Sequence, residues 1–386
     1  MKKRNFNVGA IILTVILTVV MMTGGFFAFL RYADKLIVPK KEYESNEKLI
    51  KKFEKLIDID NLIESDFLYE FDKDKQSEAM YDAMLSSLDD EYSRYLNKDE
   101  LEKLKKSLNN SFTGIGISFE MTDKGVLITD VMSESPAQTA GLQKGDIILE
   151  IDGRECKTIK AVKKAISGKA GEAIELKIMR ESEDKKVKVI RGEIEDSTVD
   201  SKEISDKTAY IKITSFGEQT YSKFESALSS FEKSGKQSLI LDLRANPGGL
   251  FDEGIKIADR LLPECKITYT KDKRGKIKNY NSDVKGTKLK LIVLIDENSA
   301  SSSEIVAAAL IDNKAAISVG QKSYGKGVVQ ESHIYSDDTA ISITVKEYFS
   351  PTGKKINGKG IEPQFAVENI DGNDLQLAKA IELASV

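Results

Sequence analysis

The feature that most restricts this chain is an uncharged, largely apolar run at residues 8–30, directly after a basic stretch at residues 2–4. As a helix rising about 1.5 Å per residue, the run crosses a hydrocarbon core of about 30 Å. A cleaved signal peptide is the alternative, but its apolar core is shorter and it ends in small residues, a pattern that residues 28–31 lack. We therefore expect an uncleaved, single-pass anchor, with residues 2–4 in the cytoplasm and the chain beyond it outside the cell.

Composition excludes several kinds of site. The formal net charge is −4, from 58 basic and 62 acidic residues mixed along the chain, so no nucleic-acid partner is expected. His333 is the only histidine, and Cys156 and Cys265 are the only cysteines, which is too few ligands for a histidine cluster or a zinc site. We expect no metal and no cofactor. The cysteines are interpreted as free thiols, with a disulfide as the alternative.

The segment after the anchor has the periodicity of helices. Residues 39–110 are predicted to form a helical region that begins with a polar linker at 39–47, and two apolar runs in it recur at three- and four-residue steps. These runs are Leu49, Ile50, Phe53, Leu56 and Ile57, followed by Ala79, Met80, Ala83, Met84 and Leu88. Packing within the region is the simplest interpretation. A homodimer interface is the alternative that composition leaves open.

The remaining chain predicts a multidomain protein of mixed α+β and α/β class, behind a cytoplasmic stub and transmembrane anchor at residues 1–38. Residues 111–193 combine strand-like alternation with glycine turns. Residues 194–370 alternate short buried-strand runs with helical patterns, which is typical of an α/β core. Residues 371–386 are predicted to form a helical tail.

Residues 299–303 contain a cluster of serines between a strand-like run and a helix-like run. A serine at the start of a helix lies among unpaired backbone N–H groups, which together with the helix dipole favour negative charge. This environment suits an attacking hydroxyl and the oxyanion that it forms. Capping of the helix is the alternative, and from this stretch alone it is the more frequent role of such a serine.

A serine nucleophile needs a base nearby. His333 is one candidate, although it lies in a polar stretch typical of a surface. Lys326 is the other, because Gly325 and Gly327 on either side allow close approach to another loop. A lysine base must be neutral, so burial would have to lower its pKa from about 10.4. Gln330 could orient the amine, but a glycine-flanked lysine is also common in turns.

An acyl-transfer site also needs hydrogen-bond donors for the oxyanion. The run at 239–250 places a buried strand before Gly248 and Gly249 and a helix after them, so the backbone N–H groups of these glycines are candidates. An ordinary strand-to-helix turn is the alternative. A phosphate-binding loop is a poor alternative, because the spacing of its glycines and lysine is missing.

Taken together, these segments resemble the carboxyl-terminal processing peptidases, a family of serine–lysine proteases. Residues 297–305 resemble the serine motif of the family, residues 323–330 its lysine motif, and residues 242–249 its oxyanion loop. Residues 348–364 resemble its closing strand segment. Residues 88–96 resemble the motif that ends its N-terminal helical region. The order and spacing of the segments agree with the family over most of the chain.

The resemblance implies that Ser301 is the nucleophile, that Lys326 is the general base and that Gln330 orients the lysine. The implied oxyanion donors are the backbone N–H groups of Ser302 and of either Gly248 or Gly249. The family usually has alanine at the position of Ser302. The resemblance also implies a crotonase-like ββα protease core, and it removes the need for a histidine.

Residues 114–119, followed by residues 135–153, resemble a PDZ domain. Such domains add the C-terminal strand of a partner to a sheet edge and hold its carboxylate with backbone N–H groups. The candidate carboxylate loop consists of Thr113, Gly114, Ile115, Gly116 and Ile117. An ordinary glycine-containing strand start is the alternative.

Together, these expectations describe a membrane-anchored, extracytoplasmic serine endopeptidase. It would cleave proteins or peptides near free, exposed C termini that its PDZ domain recognises. The alternative from a different class is a catalytically inactive PDZ scaffold that binds protein C termini. The presence of Ser301, Lys326 and Gln330 favours the enzyme.

Overall fold

The computed structural model describes residues 8–32, 39–195, 197–283, 285–370 and 372–385. The chain divides into two units at the boundary between Asp74 and Lys75. The basic stretch at residues 2–4, which sets the predicted orientation of the anchor, lies outside the described residues.

Two long helices make up most of the first unit. Helix α1 (Val8–Tyr32) has no buried residue, and it is long and apolar enough to cross a membrane by length and composition, a test that a signal sequence also passes. Helix α2 (Lys40–Asp66) includes most of the stretch predicted as a linker, so that prediction was wrong. Lysine and glutamate are good helix formers, and Pro39 fits the helix start, where its carbonyl accepts from the N–H groups of Glu42 and Tyr43.

The second unit begins with a short mixed segment. Its elements are helix α3 (Lys73–Ser86), which crosses the boundary between the units, strand β1 (Arg94–Leu96) and helix α4 (Lys98–Leu108). Asn97 caps α4 by accepting from the N–H of Glu100, whose side chain reaches back to the N–H of Asn97. The region predicted as helical therefore also contains a strand. The pairing of β1 with a distant strand explains the miss, because local periodicity does not report such a partner.

A compact antiparallel module follows. Its strands are β2 (Ser111–Gly114), β3 (Ile117–Thr122), β4 (Gly125–Val131), β5 (Ile147–Ile151), β6 (Ala173–Arg180), β7 (Glu183–Ile190) and β8 (Gly192–Glu195), and its helices are α5 (Pro136–Thr139) and α6 (Ile159–Ile166). The main sheet has the order β3-β4-β5-β6-β7, which leaves β3 at an edge, while β2 pairs with β8. The strand-like alternation predicted for residues 111–193 is confirmed, for example by β4 and β6.

The remaining elements form an α/β core. Its strands are β9 (Val199–Glu203), β10 (Thr208–Ile213), β11 (Ser238–Asp242), β12 (Lys266–Asp272), β13 (Ile277–Asn281), β14 (Lys290–Ile295), β15 (Ala316–Gly320), β16 (Val328–Ile334), β17 (Ala340–Phe349) and β18 (Phe365–Ala366). Its helices are α7 (Thr220–Lys233), α8 (Phe251–Leu261), α9 (Ser302–Asp312) and α10 (Leu375–Ser385).

The main sheet of this core has the order β18-β15-β14-β11-β10-β9, and its strands are parallel except for β9 at the edge. Buried residues of α7, α8 and α9 cover one face, and those of α10 pack on the other. A second sheet has the order β1-β17-β12-β13, with β16 also paired to β17. The predicted helical tail is thus a packed layer of the core.

The parallel register brings three loops to one edge of the main sheet. Asp242 at the end of β11 lies beside Leu294 of β14, and Ile295 lies beside Gly320 at the end of β15. After β11 the chain enters the loop that contains Gly248 and Gly249, here called the double-glycine loop. After β14 it enters the serine cluster at 299–303, and after β15 the segment 321–327 with Lys326, here called the lysine loop. The carboxyl ends of parallel strands are where α/β proteins place their ligands, so this edge is the expected site.

A buried ion pair in the antiparallel module gives a test of the fold. The carboxylate of Asp146 is almost fully buried and is held by Arg180 at 2.6 Å and 2.7 Å. We expect Asp146→Ala to lower the free energy of unfolding by about 3 kcal/mol, because it leaves a charge without its partner. Asp184→Ala, which breaks the exposed pair with Lys177, should cost less than about 1 kcal/mol. Amide hydrogen exchange of residues 111–193 measures both, and equal losses would contradict the role assigned to burial.

Candidate active site

Ser301 lies directly before helix α9 in a strained backbone conformation. Its φ of 57° falls in the left-handed region, which is uncommon for a residue with a side chain and is often found at functional sites. It is half-buried and lines a cavity of 580 Å³. The conformation directs the chain out of the sheet edge and into the helix, with the serine at the cavity wall.

The neighbouring serines have structural roles. The hydroxyl of Ser299 donates to the carbonyl of Leu243 at 2.8 Å, and that of Ser303 donates to the carbonyl of Asn246 at 3.0 Å. The hydroxyl of Ser302 donates to the carbonyl of Gly249 at 3.1 Å. These hydroxyls fasten the serine cluster to the double-glycine loop. Of the serines at 299–303, Ser301 lines the cavity.

Glu304 connects the serine to the lysine loop, and the sequence analysis missed it. Its fully buried carboxylate accepts from the N–H of Ser301 at 2.9 Å and from the N–H of Lys326 at 2.8 Å. It also accepts from the N–H of Gly325 at 2.7 Å and from the hydroxyl of Ser323 at 2.6 Å. Burial raises the pKa of this carboxyl, while the hydrogen bonds act to lower it. Its place three residues after a helix-capping serine was the available signal.

Tyr348 also links the serine cluster to the lysine loop, through the backbone carbonyls of Ser301 and Lys326. Its fully buried hydroxyl donates to the carbonyl of Ser301 at 3.1 Å and also contacts the carbonyl of Lys326. Burial raises the pKa of this phenol, so it stays a neutral donor. The resemblance covered its segment but assigned it no role.

Lys326 lies half-buried in the wall of the same cavity. The glycines on either side are required by close packing, since a Cβ at Gly325 would lie 2.9 Å from the N of Gly360 and one at Gly327 would lie 2.2 Å from the N of Asn357. This is the close approach to another loop that the sequence predicted. Burial lowers the pKa of Lys326 and the charge of Arg94 lowers it further. The carboxylates that act in the opposite direction belong to Glu91, Asp90 and Glu304.

The contacts of the lysine amine differ from those expected. Its Nζ lies 4.5 Å from the centre of the Tyr92 ring. Within the described ranges, no hydrogen bond joins this atom to Ser301 or Gln330. The Nε2 of Gln330 instead donates to the hydroxyl of Thr344 at 3.1 Å, although Gln330 lines the same cavity. His333 is exposed on β16, where its ring packs against Tyr335.

The double-glycine loop contacts the serine directly. A Cβ at Gly248 would lie 2.7 Å from the Cβ of Ser301, so this position admits only glycine. In this conformation the N–H of Gly248 donates to the side-chain oxygen of Asn246 at 2.8 Å and is not free for an oxyanion. Gly249 lines the cavity. The asparagine is fully buried, and its amide donates to the carbonyl of Ile213 at 2.8 Å.

The predicted carboxylate loop spans the end of β2 and the start of β3. Thr113 and Gly114 pair with β8, Gly116 has a positive φ of 79°, and Ile117 begins the edge strand β3. The side chain of Ile115 is fully buried in the core of the antiparallel module. A ligand at this loop would therefore meet the backbone rather than that side chain.

Other reactive groups are few in the described part of the chain. No cluster of three or more histidine, cysteine, aspartate or glutamate residues there could hold a metal ion. Cys156 and Cys265 are free thiols, as interpreted from the sequence.

Comparison with known families assigns three regions. Residues 207–367 match the model of peptidase family S41, and residues 113–190 match that of the PDZ domain. Residues 19–100 match the model described as the activating protease CtpB N-terminal domain.

Curated relatives carry the same assignment. A "Probable CtpA-like serine protease" of Staphylococcus haemolyticus strain JCSC1435 is 35% identical over 78% of this chain and 62% of the relative, so the chain spans less than two thirds of its length. A protein of the same description from Staphylococcus aureus strain COL is 32% identical over 94% of this chain and 71% of the relative.

Two solved structures have a similar fold. The photosystem II D1 C-terminal processing protease is 25% identical with a TM-score of 0.51, and the match covers 81% of this chain and 86% of that one. A candidate S41 protease from Bacteroides fragilis NCTC 9343 is 17% identical with a TM-score of 0.55, over 79% and 90% of the two chains. The chain therefore belongs to the CtpA-like serine proteases of peptidase family S41 and contains a PDZ domain.

Proposed function

We propose that this serine peptidase is a membrane-anchored endopeptidase that uses Ser301 as nucleophile and Lys326 as general base. The observation that carries the proposal is the buried carboxylate of Glu304, which binds the backbone N–H groups of both residues at the wall of one cavity. The half-buried lysine, whose pKa is lowered by burial, supports the role of base. Substrates would be proteins or peptides with free C termini.

The reaction would begin with neutral Lys326. Its Nζ takes the proton of the Ser301 hydroxyl, and the Oγ attacks the carbonyl carbon of the substrate peptide bond. The lysine ammonium then gives the proton to the leaving amine, and water releases the acyl group by the same route in reverse. The amine makes no hydrogen bond to Ser301 in the described ranges, so the two groups must come closer for this step while Nζ stays at the Tyr92 ring. Catalytic hydrogen bonds are often long in the absence of substrate.

The N–H groups of Ser302 and Gly249 are the proposed oxyanion donors. Gly248 is the less favourable of the two glycines, because its N–H is bound to Asn246. Gln330 is proposed to orient the lysine through its side-chain oxygen, since its nitrogen is occupied by Thr344.

The arrangement of the domains completes the proposal. We infer domains at 1–38, 39–110, 111–193, 194–370 and 371–386, with the last two forming a crotonase-like core and its helical tail. Helix α1 would anchor the chain in the cell membrane through residues 8–30, with the catalytic part outside the cytoplasm. The edge strand β3 and residues 113–117 would bind the C-terminal strand of a substrate.

The exposed face of α2 supports a homodimer through the N-terminal region. The apolar residues that it leaves in solvent are Leu49, Ile50, Leu56, Ile57, Ile59 and Leu62. Leu49 and Leu56 are seven residues apart, as are Ile50 and Ile57, so these four lie on one side of the helix, which is the pattern that a partner helix covers.

Replacing the reactive groups tests the assignment. With the full chain in detergent micelles and casein as an unfolded substrate, we expect Ser301→Ala and Lys326→Ala to slow cleavage by at least about a thousandfold. His333→Ala is the matched control and should change the rate less than about twofold, because the ring is exposed on β16. Loss of cleavage in His333→Ala, or its survival in Lys326→Ala, would contradict the proposal.

The lowered pKa of Lys326 predicts opposite effects on rate and stability. The value of kcat/KM should rise with pH through this pKa, at a pH below that of an ordinary lysine near about 10.4, because only the neutral amine accepts a proton. The folded pKa lies below the unfolded one, so the charged lysine destabilises the fold at neutral pH. Lys326→Met should therefore raise the unfolding temperature at neutral pH. This gain should shrink as the pH approaches the pKa of lysine in the unfolded chain. The exposed Lys144→Met is the control, and an equal gain there would contradict the burial effect.

A further inference from the structure

An aromatic ring from outside the main sheet enters the wall of the cavity. Tyr92 lies in the turn before β1, and its ring centre is 4.5 Å from the Nζ of Lys326. Both residues line the same cavity as Ser301. A cation over the face of an aromatic ring is attracted by the negative potential of that face, and the attraction grows as water is removed.

We propose that Tyr92 is the positioning residue of the general base: the face of its ring fixes the Lys326 amine in the cavity and stabilises the ammonium that forms when Ser301 loses its proton. This inference rests on the proposed function, because it gives a role to the protonated state of that lysine. In serine–histidine enzymes an aspartate stabilises the charged base. Here an aromatic face would do so without a fixed negative charge.

The turn that carries Tyr92 is bound firmly to the second sheet. The hydroxyl of Ser93 donates to the carboxylate of Asp90 and accepts from the N–H of Thr344 at 3.0 Å. Burial would raise the pKa of Asp90, but hydrogen bonds from Ser93, Thr344 and the turn N–H groups outweigh it and lower that pKa. Thr344 also accepts from Gln330, so one strand residue holds both the turn and the predicted lysine partner. The ring is therefore presented in a fixed place.

The Tyr92 ring is the direct contact of the Lys326 amine, and the charged groups around the amine act on it only through space. Arg94 is the positive neighbour and disfavours the ammonium, while Glu91, Asp90 and Glu304 favour it from a distance. Glu304 is occupied by backbone donors and Asp90 by its own turn. Across the described ranges Lys326 has no ion pair. Burial, together with Glu91, raises the pKa of the Tyr92 phenol, so the ring remains neutral and acts through its face.

The test changes the charge distribution of the ring and keeps its shape. Tyr92→Phe is the starting point of the series, and Tyr92→4-fluorophenylalanine and Tyr92→pentafluorophenylalanine then withdraw charge from the face in steps. Loss of the attraction lowers the pKa of the lysine, so the midpoint of the pH dependence of kcat/KM moves to lower pH. We expect a shift of about half a pH unit between the first and last variants, equal to about threefold in the protonation equilibrium. The conservative Tyr92→Phe keeps the face and should keep the midpoint.

The direction of the shift separates this role from packing alone. A ring that only excludes water would, when disturbed, let water reach the amine and move the midpoint to higher pH. An unchanged midpoint along the series, or a rise, overturns the inference. Tyr335→pentafluorophenylalanine, at a ring that packs on His333, is the matched control for the substitution itself and should leave the midpoint in place.

A second comparison keeps this inference distinct from the proposed function. Lys326→Ala is assayed in the Tyr92→Phe background. If cleavage survives, the lysine is not the base and the proposed function fails. If cleavage is lost while the fluorinated series keeps one midpoint, the lysine assignment stands and the role of Tyr92 alone is rejected.

Discussion

The buried carboxylate of Glu304 is the interaction on which the rest of the site depends. It accepts four hydrogen bonds, from the N–H groups of Ser301, Gly325 and Lys326 and from the hydroxyl of Ser323. A buried charge without partners would be strongly destabilising, so the carboxylate is tolerated because these donors replace water. The same bonds give the strained backbone at Ser301 and the glycine-rich lysine loop a common anchor. The proposed nucleophile and the proposed base therefore take their positions from one side chain.

The fold supplies the segments that this carboxylate joins. The parallel strands β11, β14 and β15 end at one edge, which brings the double-glycine loop, the serine cluster and the lysine loop together. The second sheet closes the site from the other side, with Tyr348 of β17 on the backbone and Tyr92 of the turn before β1 on the amine. The cavity is thus built from segments far apart in the chain, and each one contributes a different part of the proposed site.

Local signals in the sequence predicted much of this arrangement. The glycines around Lys326 indicated close loop packing. The apolar runs on either side of the serine cluster indicated a strand followed by the start of a helix. Both features follow from residues that are neighbours in the sequence. The contacts of Gln330 with Thr344 and of Gly248 with Asn246 were not predictable from the sequence. Each of these groups could bind several partners, and the folded structure determines which one lies within hydrogen-bond distance. The linker expected at 39–47 was wrong because a polar composition was taken as absence of structure, whereas lysine and glutamate favour helix.

The most direct test of the central role of Glu304 is amide hydrogen exchange in Glu304→Gln. A glutamine side chain presents one acceptor oxygen and an NH₂ donor, so it cannot accept from all the N–H groups that the carboxylate binds. We expect protection to fall at residues 301–304 and 323–327, while β11 and β14 remain as protected as in the parent and cleavage slows by about a hundredfold. Unchanged protection in both segments would contradict the role given to this carboxylate. Loss of protection throughout the core would show that the substitution destabilises the whole fold rather than these two segments.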